Sequence, residues 1–180
     1  MDTMQYTHLY RSPLGTITLA ADSEGLTGLW FEGQKYFAAT LDAQHEETML
    51  PISEQTRRWL DNYFGGNDPG PTPPLHLQGS PFRLAVWEIL RQIPFGKTIT
   101  YGEIAREIAR RQGSKTVPAQ AVGGAVGHNP VSIIVPCHRV VGSNGSLTGY
   151  AGGIERKVRL LALEKADMTG LFAPQKGTAL

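Results

Sequence analysis

The 180-residue chain contains one cysteine, so no internal disulfide can form and a reducing compartment is expected. No apolar run approaches the roughly 20 residues that a bilayer-spanning helix needs, so no membrane partner is expected. The opening Met1-Asp2-Thr3-Met4-Gln5 lacks a basic stretch followed by an apolar one. No secretory signal is therefore expected, and a cytoplasmic location follows. His8, His45 and His76 are scattered without metal-ligand spacing, so no metal site is expected. The glycine-rich segments lack the Lys-Ser/Thr ending of a phosphate loop and the strand–GxGxxG–helix setting of a dinucleotide fold. Charge is modest at 18% of residues against 41% hydrophobic, as in a globular protein of one domain or two small ones.

The net charge of +1 hides a division of the chain. Residues 1–76 carry 10 Asp/Glu against 4 Lys/Arg, a net of −6, and residues 77–180 carry 6 against 13, a net of +7. A basic half suits a polyanionic partner; chance segregation of solvated charges is the alternative. Between the halves, Asn67 to Gly79 is rich in proline and glycine and reads as a semi-extended linker.

The acidic half reads as a β meander over Gln5–Tyr10, Thr16–Ala20 and Leu26–Phe31, broken at Ser12-Pro13-Leu14-Gly15 and Asp22-Ser23-Glu24-Gly25. Residues 34–50 suggest a short helix. Ser53 is placed as the cap of a helix ending at Phe64, before Gly65-Gly66. Ser80-Pro81 opens a helix that stops before Pro94, with Phe82, Ala85, Val86, Ile89 and Leu90 as its apolar stripe. Thr100 and Glu103 form a capping box for a helix from Tyr101 to Arg111, burying Ile104, Ala105 and Ile108.

Pro118 opens a short helix of Ala119 to Gly127, nearly all Ala, Gly and Val with Gln120 as its one polar residue. Each glycine costs a helix about 1 kcal/mol relative to alanine. Either this helix packs closely inside the protein or it approaches another surface closely; a helix-turn-helix accommodates the second reading. Ile154 to Glu164 is amphipathic, with Ile154, Val158 and Leu161 placed inside and Arg156, Lys157 and Arg159 outside. Residues 167–180 read as a loose tail.

The most informative run is Ile133-Ile134-Val135-Pro136-Cys137-His138-Arg139-Val140-Val141. A strand-like segment ends at Pro136, which holds Val135 extended and delivers Cys137 at a bend. Cationic neighbours lower a thiol pKa, and His138 and Arg139 put such groups next in sequence. His138 also offers a general base. The alternative is a small buried hydrophobe. Glu164 is either a solvated carboxylate or a partner for His138.

Pro136-Cys137-His138-Arg139-Val140, Ala121-Val122-Gly123-Gly124-Ala125, Asn129-Pro130, Thr148-Gly149-Tyr150-Ala151-Gly152-Gly153 and Leu160-Leu161-Ala162-Leu163-Glu164 occur in an order that resembles the O6-alkylguanine-DNA alkyltransferase family. The likeness covers Ser80 to Ala166; the first half matches in size and strand pattern only.

The resemblance implies an α+β fold. A small antiparallel sheet with a helix, ribonuclease H-like, would occupy residues 1–76. A mainly helical, winged-helix-like domain with a helix-turn-helix would occupy residues 80–166, after a linker at 67–79.

It implies a monomer that acts on double-stranded DNA containing O6-alkylguanine and needs no cofactor. Cys137 would be the nucleophile, activated through His138 and Glu164, with Tyr101 polarising the guanine. The backbone carbonyls of Cys137 and Val140, the Ala151 amide, and Tyr150 and Gly152 would bind the base, and Asn129 would tie the helix to the active-site turn. Ala119, Gln120, Ala121, Gly123, Gly124, Gly127, Gly102, Arg139 and Ser143 would meet DNA. The family often has arginine where this chain has Gln120, and the Arg110–Pro118 loop is longer than the family's usual turn. A DNA-binding damage sensor without repair activity, or a thiol hydrolase, are the competing readings.

Overall fold

The computed structural model describes residues 4–174. The chain divides into two units. One runs to Gln78 and includes Pro130–Ile134; the other comprises Gly79–Asn129 and the chain from Val135 on.

In the first unit, β1 (Gln5–Ser12), β2 (Gly15–Ala21) and β3 (Leu26–Phe31) form the antiparallel meander. Gly15, at φ +116°, makes the first turn in a conformation that suits glycine. β3 is buried along its whole length, whereas β1 buries Thr7 and Tyr10 alone. The 34–50 region is not helical: turns lead into β4 (His45–Glu47), which pairs in parallel with β1, giving the order β3-β2-β1-β4. Helix α1 (Pro51–Phe64) buries Thr56, Trp59, Leu60 and Tyr63. Its cap is Leu50 rather than Ser53; the Ser53 hydroxyl lies one turn inside and accepts the Leu50 amide at 3.2 Å. Pro51 at the first helical position explains the earlier start.

Part of the expected linker is tied down. Pro74 O accepts the Leu26 amide and the His76 amide donates to Leu26 O, so this segment extends the sheet at β3. Pro130–Ile134 also joins this unit: the Leu29 amide donates to Pro130 O and the Ser132 amide to Leu29 O. This segment is a turn, not the strand expected there, with Ile133 at φ +70°. A β-branched residue is strained in that region.

The second unit packs α2 (Pro81–Arg91), α3 (Tyr101–Gln112) and α4 (Ala119–Gly127) against one another. Ser80 caps α2 by accepting the Arg83 amide. The buried face of α2 is Val86, Trp87, Ile89 and Leu90, with Phe82 and Ala85 half-buried; Trp87 Nε1 donates to Ala125 O at 2.7 Å and joins α2 to α4. The Thr100–Glu103 capping box opens α3, and Gly113, at φ +67°, closes it. α3 buries Ile104, Ile108 and Ala109, with Ala105 half-buried.

Two short strands then set up the site. β5 (Ile99–Thr100) pairs in parallel with β6 (Val140–Val141), which places the start of α3 beside the turn carrying Cys137. α5 (Ile154–Leu163) packs on that turn. Residues 167–174 are not a loose tail. Met168 and Leu171 pack on Val141, Leu147, Leu161 and Ala166, and the Leu147 amide donates to Phe172 O. The remainder of the expected tail, 175–180, lies outside the described residues, as do residues 1–3. Among the described residues no helix is long and apolar enough to cross a membrane.

Candidate active site

Pro136 follows the turn at 132–135, and Cys137–Arg139 form one turn of 3-10 helix closed by the Val140 amide on Cys137 O. Three residues per turn send three successive side chains in three directions. Adjacency in sequence therefore does not become adjacency in space. His138 and Arg139 both turn to Glu164, the C-cap of α5. His138 Nε2 lies 2.6 Å from Glu164 Oε2. Arg139 donates through Nε to Oε1 at 2.8 Å and through Nη2 to Oε2 at 3.1 Å, and through Nη1 to Ile93 O. The Gly96 amide donates to Oε1. All three side chains are buried, His138 completely.

The electrostatics follow. Burial alone would raise the Glu164 carboxyl, but hydrogen bonds and charge from His138 and Arg139 outweigh it and hold the pKa well below the usual carboxylate range. Burial lowers the His138 pKa, against the pull of Glu164, so the imidazole is neutral. A carboxylate can only accept, so Nε2 carries the proton and Nδ1 is the basic nitrogen. Glu164 thus fixes the tautomer, and Arg139 balances the carboxylate charge. Arg139 was expected to meet DNA; it is instead committed to this buried pair.

Cys137 is free and 5% exposed. Burial pushes its thiol up, while a hydrogen bond from the Asn129 side chain and the charge of Lys157 pull it down. The Asn129 amide also donates to Val135 O at 2.6 Å, tying the end of α4 to the approach to Cys137. The cations adjacent in sequence are not the ones that act on the sulfur. Lys157, expected outside α5, is fully buried and donates from Nζ to Val140 O and to Thr148 O. Sequence reasoning missed it, although its spacing from Ile154, Leu160 and Leu161 puts it on the helix's inner face.

A cavity of about 820 Å³ is lined by Tyr101 and Gly102 of α3, by α4, and by the 142–149 loop, Ser143 and Thr148 included. The Tyr101 hydroxyl lies 3.4 Å from Thr148 O, and its pKa is raised by burial and by the nearby thiol. Tyr150 is buried with its ring 6.4 Å from that of His138. Gly152 is buried against Tyr150, where a Cβ would come within 2.9 Å of the ring, and Ala151 is half-buried beside it. Val140 is buried with its carbonyl held by Lys157.

On α4, Ala119, Gln120 and Ala121 are exposed and Gly124 is half-exposed. Ala119, Gln120, Gly123 and Gly124 line the cavity. A Cβ on Gly124 would meet nothing within 4 Å, so internal packing does not explain that glycine. Gly127 is buried, on the side turned into the protein. Among the described residues no group of His, Cys, Asp and Glu is arranged to hold a metal.

Residues 81–166 match the 6-O-methylguanine DNA methyltransferase, DNA binding domain, and residues 5–75 match the ribonuclease-like domain of the same family. A methylated-DNA–protein-cysteine methyltransferase of Haemophilus influenzae is 41% identical, over 92% of this chain and 88% of that protein. One of Methanosarcina acetivorans is 42% identical, over 88% and 97%. The crystal structure of Mycobacterium tuberculosis OGT in complex with DNA superposes with a TM-score of 0.75 at 39% identity, covering 94% of this chain and 99% of that one. The chain belongs to the methylated-DNA–protein-cysteine methyltransferase family.

Proposed function

We propose that this protein repairs O6-alkylguanine in double-stranded DNA by moving the alkyl group irreversibly to Cys137. The observation that carries the reading is a lone thiol in a turn shared with a neutral imidazole, which is oriented by a buried, arginine-balanced carboxylate. The slim, partly exposed helix α4 lines the cavity together with Tyr101, whose hydroxyl feels the charge of Cys137. This helix enters the minor groove, and the damaged guanine is turned out of the stack into the cavity. Gln120, Ala119, Ala121, Gly123 and Gly124 meet the DNA, with Gly102 and Ser143 on the flanking elements. Gln120 offers an amide at the gap in the stack. Arg139 and Gly127, both buried, take no part in that surface.

His138 Nδ1, through one water, takes the Cys137 proton while Glu164 holds the imidazole. The thiolate attacks the alkyl carbon; an S–C bond forms as the C–O6 bond breaks. The electron pair passes to the guanine, which Tyr101 assists as hydrogen-bond donor; the guanine takes up a ring proton from solvent, and His138 returns the thiol proton to solvent. The thioether is a poor leaving group, so each molecule acts once.

The test uses a duplex carrying one O6-methylguanine. The peptide holding Cys137 gains one methyl mass and the DNA regains guanine. Cys137→Ala gains none but still binds the duplex. A methyl on another residue, or transfer by Cys137→Ala, refutes the assignment. Binding to the alkylated duplex without transfer identifies a damage sensor instead.

A further inference from the structure

Lys157 is a buried cation to which the mechanism above gives no task. Its side chain is completely buried in α5, and among the described residues no carboxylate pairs with it. Long aliphatic stems usually carry the ammonium to water. Here Nζ donates inward, to Val140 O on the turn that begins at Cys137 and to Thr148 O on the wall of the cavity. Thr148 O also accepts the Tyr101 hydroxyl. One ammonium thus bridges the active-site turn, the cavity wall and, through a shared carbonyl, Tyr101.

Once the thiol proton has left for solvent, the charges around the sulfur do not balance without Lys157. Arg139 offsets Glu164, and His138 is neutral. Tyr101, on α3, is neutral, its pKa raised. Asn129, at the end of α4, brings only an amide dipole. While His138 holds the thiol proton, its imidazolium faces the sulfur; once that proton has passed to solvent and His138 is neutral again, a Cys137 thiolate is a buried anion whose counter-charge among these groups is Lys157. Such an ion is costly unless paired. We infer that Lys157 is the counter-cation of the Cys137 thiolate, a positioning residue that makes the nucleophile accessible near neutral pH. The inference rests on the repair reading only in that the thiolate is the attacking species.

The two groups then titrate as a pair. Burial draws the Lys157 ammonium down and the Cys137 anion draws it partway back, leaving it at about 8. In the resting protein, burial favours the protonated thiol and Lys157 opposes that preference. Once the sulfur is a neutral thioether, Lys157 has lost its counter-ion and releases its proton more readily.

The experiment follows the rate at which iodoacetamide blocks Cys137 in the full chain as pH is raised. An S–C bond forms, iodide leaves, and the thiol proton goes to buffer. Lys157→Met is expected to move the midpoint up by about one pH unit. The rate near neutral pH then falls about tenfold, with the alkaline plateau unchanged. Lys157→Arg, which keeps the charge, moves the midpoint back toward the wild type. A rate that falls equally at every pH, or a midpoint that stays in place, overturns the assignment.

A second measurement uses the unmutated chain and is decisive if Lys157→Met does not fold. The Lys157 side-chain NMR signal is titrated in 13C-lysine protein before and after iodoacetamide blocks Cys137. Blocking is expected to lower the Lys157 midpoint; an unmoved midpoint overturns the pairing. Methyl transfer from O6-methylguanine duplex by the wild type is scored in parallel. Intact transfer with no titration coupling sinks the Lys157 assignment alone. Coupled titration with no transfer sinks the repair reading alone.

Discussion

The two units of this chain each contain an imidazole between charged partners, and the two clusters differ in burial. In the first unit, His76 Nδ1 lies 2.6 Å from Asp22 and Nε2 lies 2.9 Å from Glu24, with the imidazole 32% exposed and Glu24 59% exposed. In the second, His138 and Glu164 are fully enclosed and Arg139 completes the set. Water around His76 screens both pairs and supplies alternative partners, so the cluster serves as a surface clasp on the Pro74–His76 segment. No water competes at Glu164, so each group there fixes the charge and tautomer of the next. Similar ingredients become a site only where solvent is excluded.

The largest effect comes from removing the enclosed charge. Glu164→Gln leaves Arg139 buried without its carboxylate, at an expected cost of about 3–5 kcal/mol in urea unfolding. It also removes the group that fixes the imidazole, so methyl transfer should be lost in any folded fraction. A variant as stable and as active as the wild type would contradict the described network.

Acid should probe the enclosed cluster next. Glu164 has a depressed folded pKa, so its stabilisation is present above its unfolded value and is lost as pH falls toward the folded one. His138 is held neutral, so the unfolded chain alone takes up a proton below about 6.5. Both signs agree: the urea midpoint should fall between pH 7 and 5, by about 1.4 kcal/mol per pH unit of His138 depression. His138→Gln should flatten that slope; a slope that this variant leaves unchanged would remove the enclosed imidazole as its source.

Asp22→Asn takes the charge from the His76 clasp; Asp22 is itself 8% exposed, and the loss of its charged hydrogen bond should cost about 1.5–3 kcal/mol. Its Oδ1 contacts with the Glu24 and Gly25 amides need only an acceptor, which asparagine keeps. Gly124→Ala is the smallest change in stability. Nothing lies near the added methyl, and helix propensity should gain up to about 1 kcal/mol. Affinity for alkylated duplex should nevertheless weaken, because the methyl projects from the face assigned to the groove. Undiminished affinity, measured by fluorescence anisotropy, would move the contact off that face.

Much of this was readable from residues whose meaning is local. The Thr100–Glu103 box, Ser80-Pro81 and Gly113 state their own geometry, and the structure follows them. The meander was legible because its strands are separated by short turns. Residues 34–50 were misread because β4 is three residues long and exposed, and exists through its pairing with β1. Ile133–Val135 looks like a strand by composition, yet Val131 and Ser132 make the contacts to β3 and the chain turns immediately afterwards. Arg139 was misplaced because a 3-10 turn separates neighbours that a linear reading joins. Lys157 was misplaced because its charge outweighed its position in the helical period. In both residues the error was to read a cation as a surface group, when the fold uses it inside.

The most direct measurement of the central claim is a count. Protein is mixed with a tenfold excess of O6-methylguanine duplex and repaired guanine is followed over time. The account predicts a rise that stops at one guanine per Cys137, to the same endpoint whatever the excess. Repair that continues past that endpoint would mean that the sulfur gives the alkyl group up again, and would contradict the irreversible transfer on which the account stands.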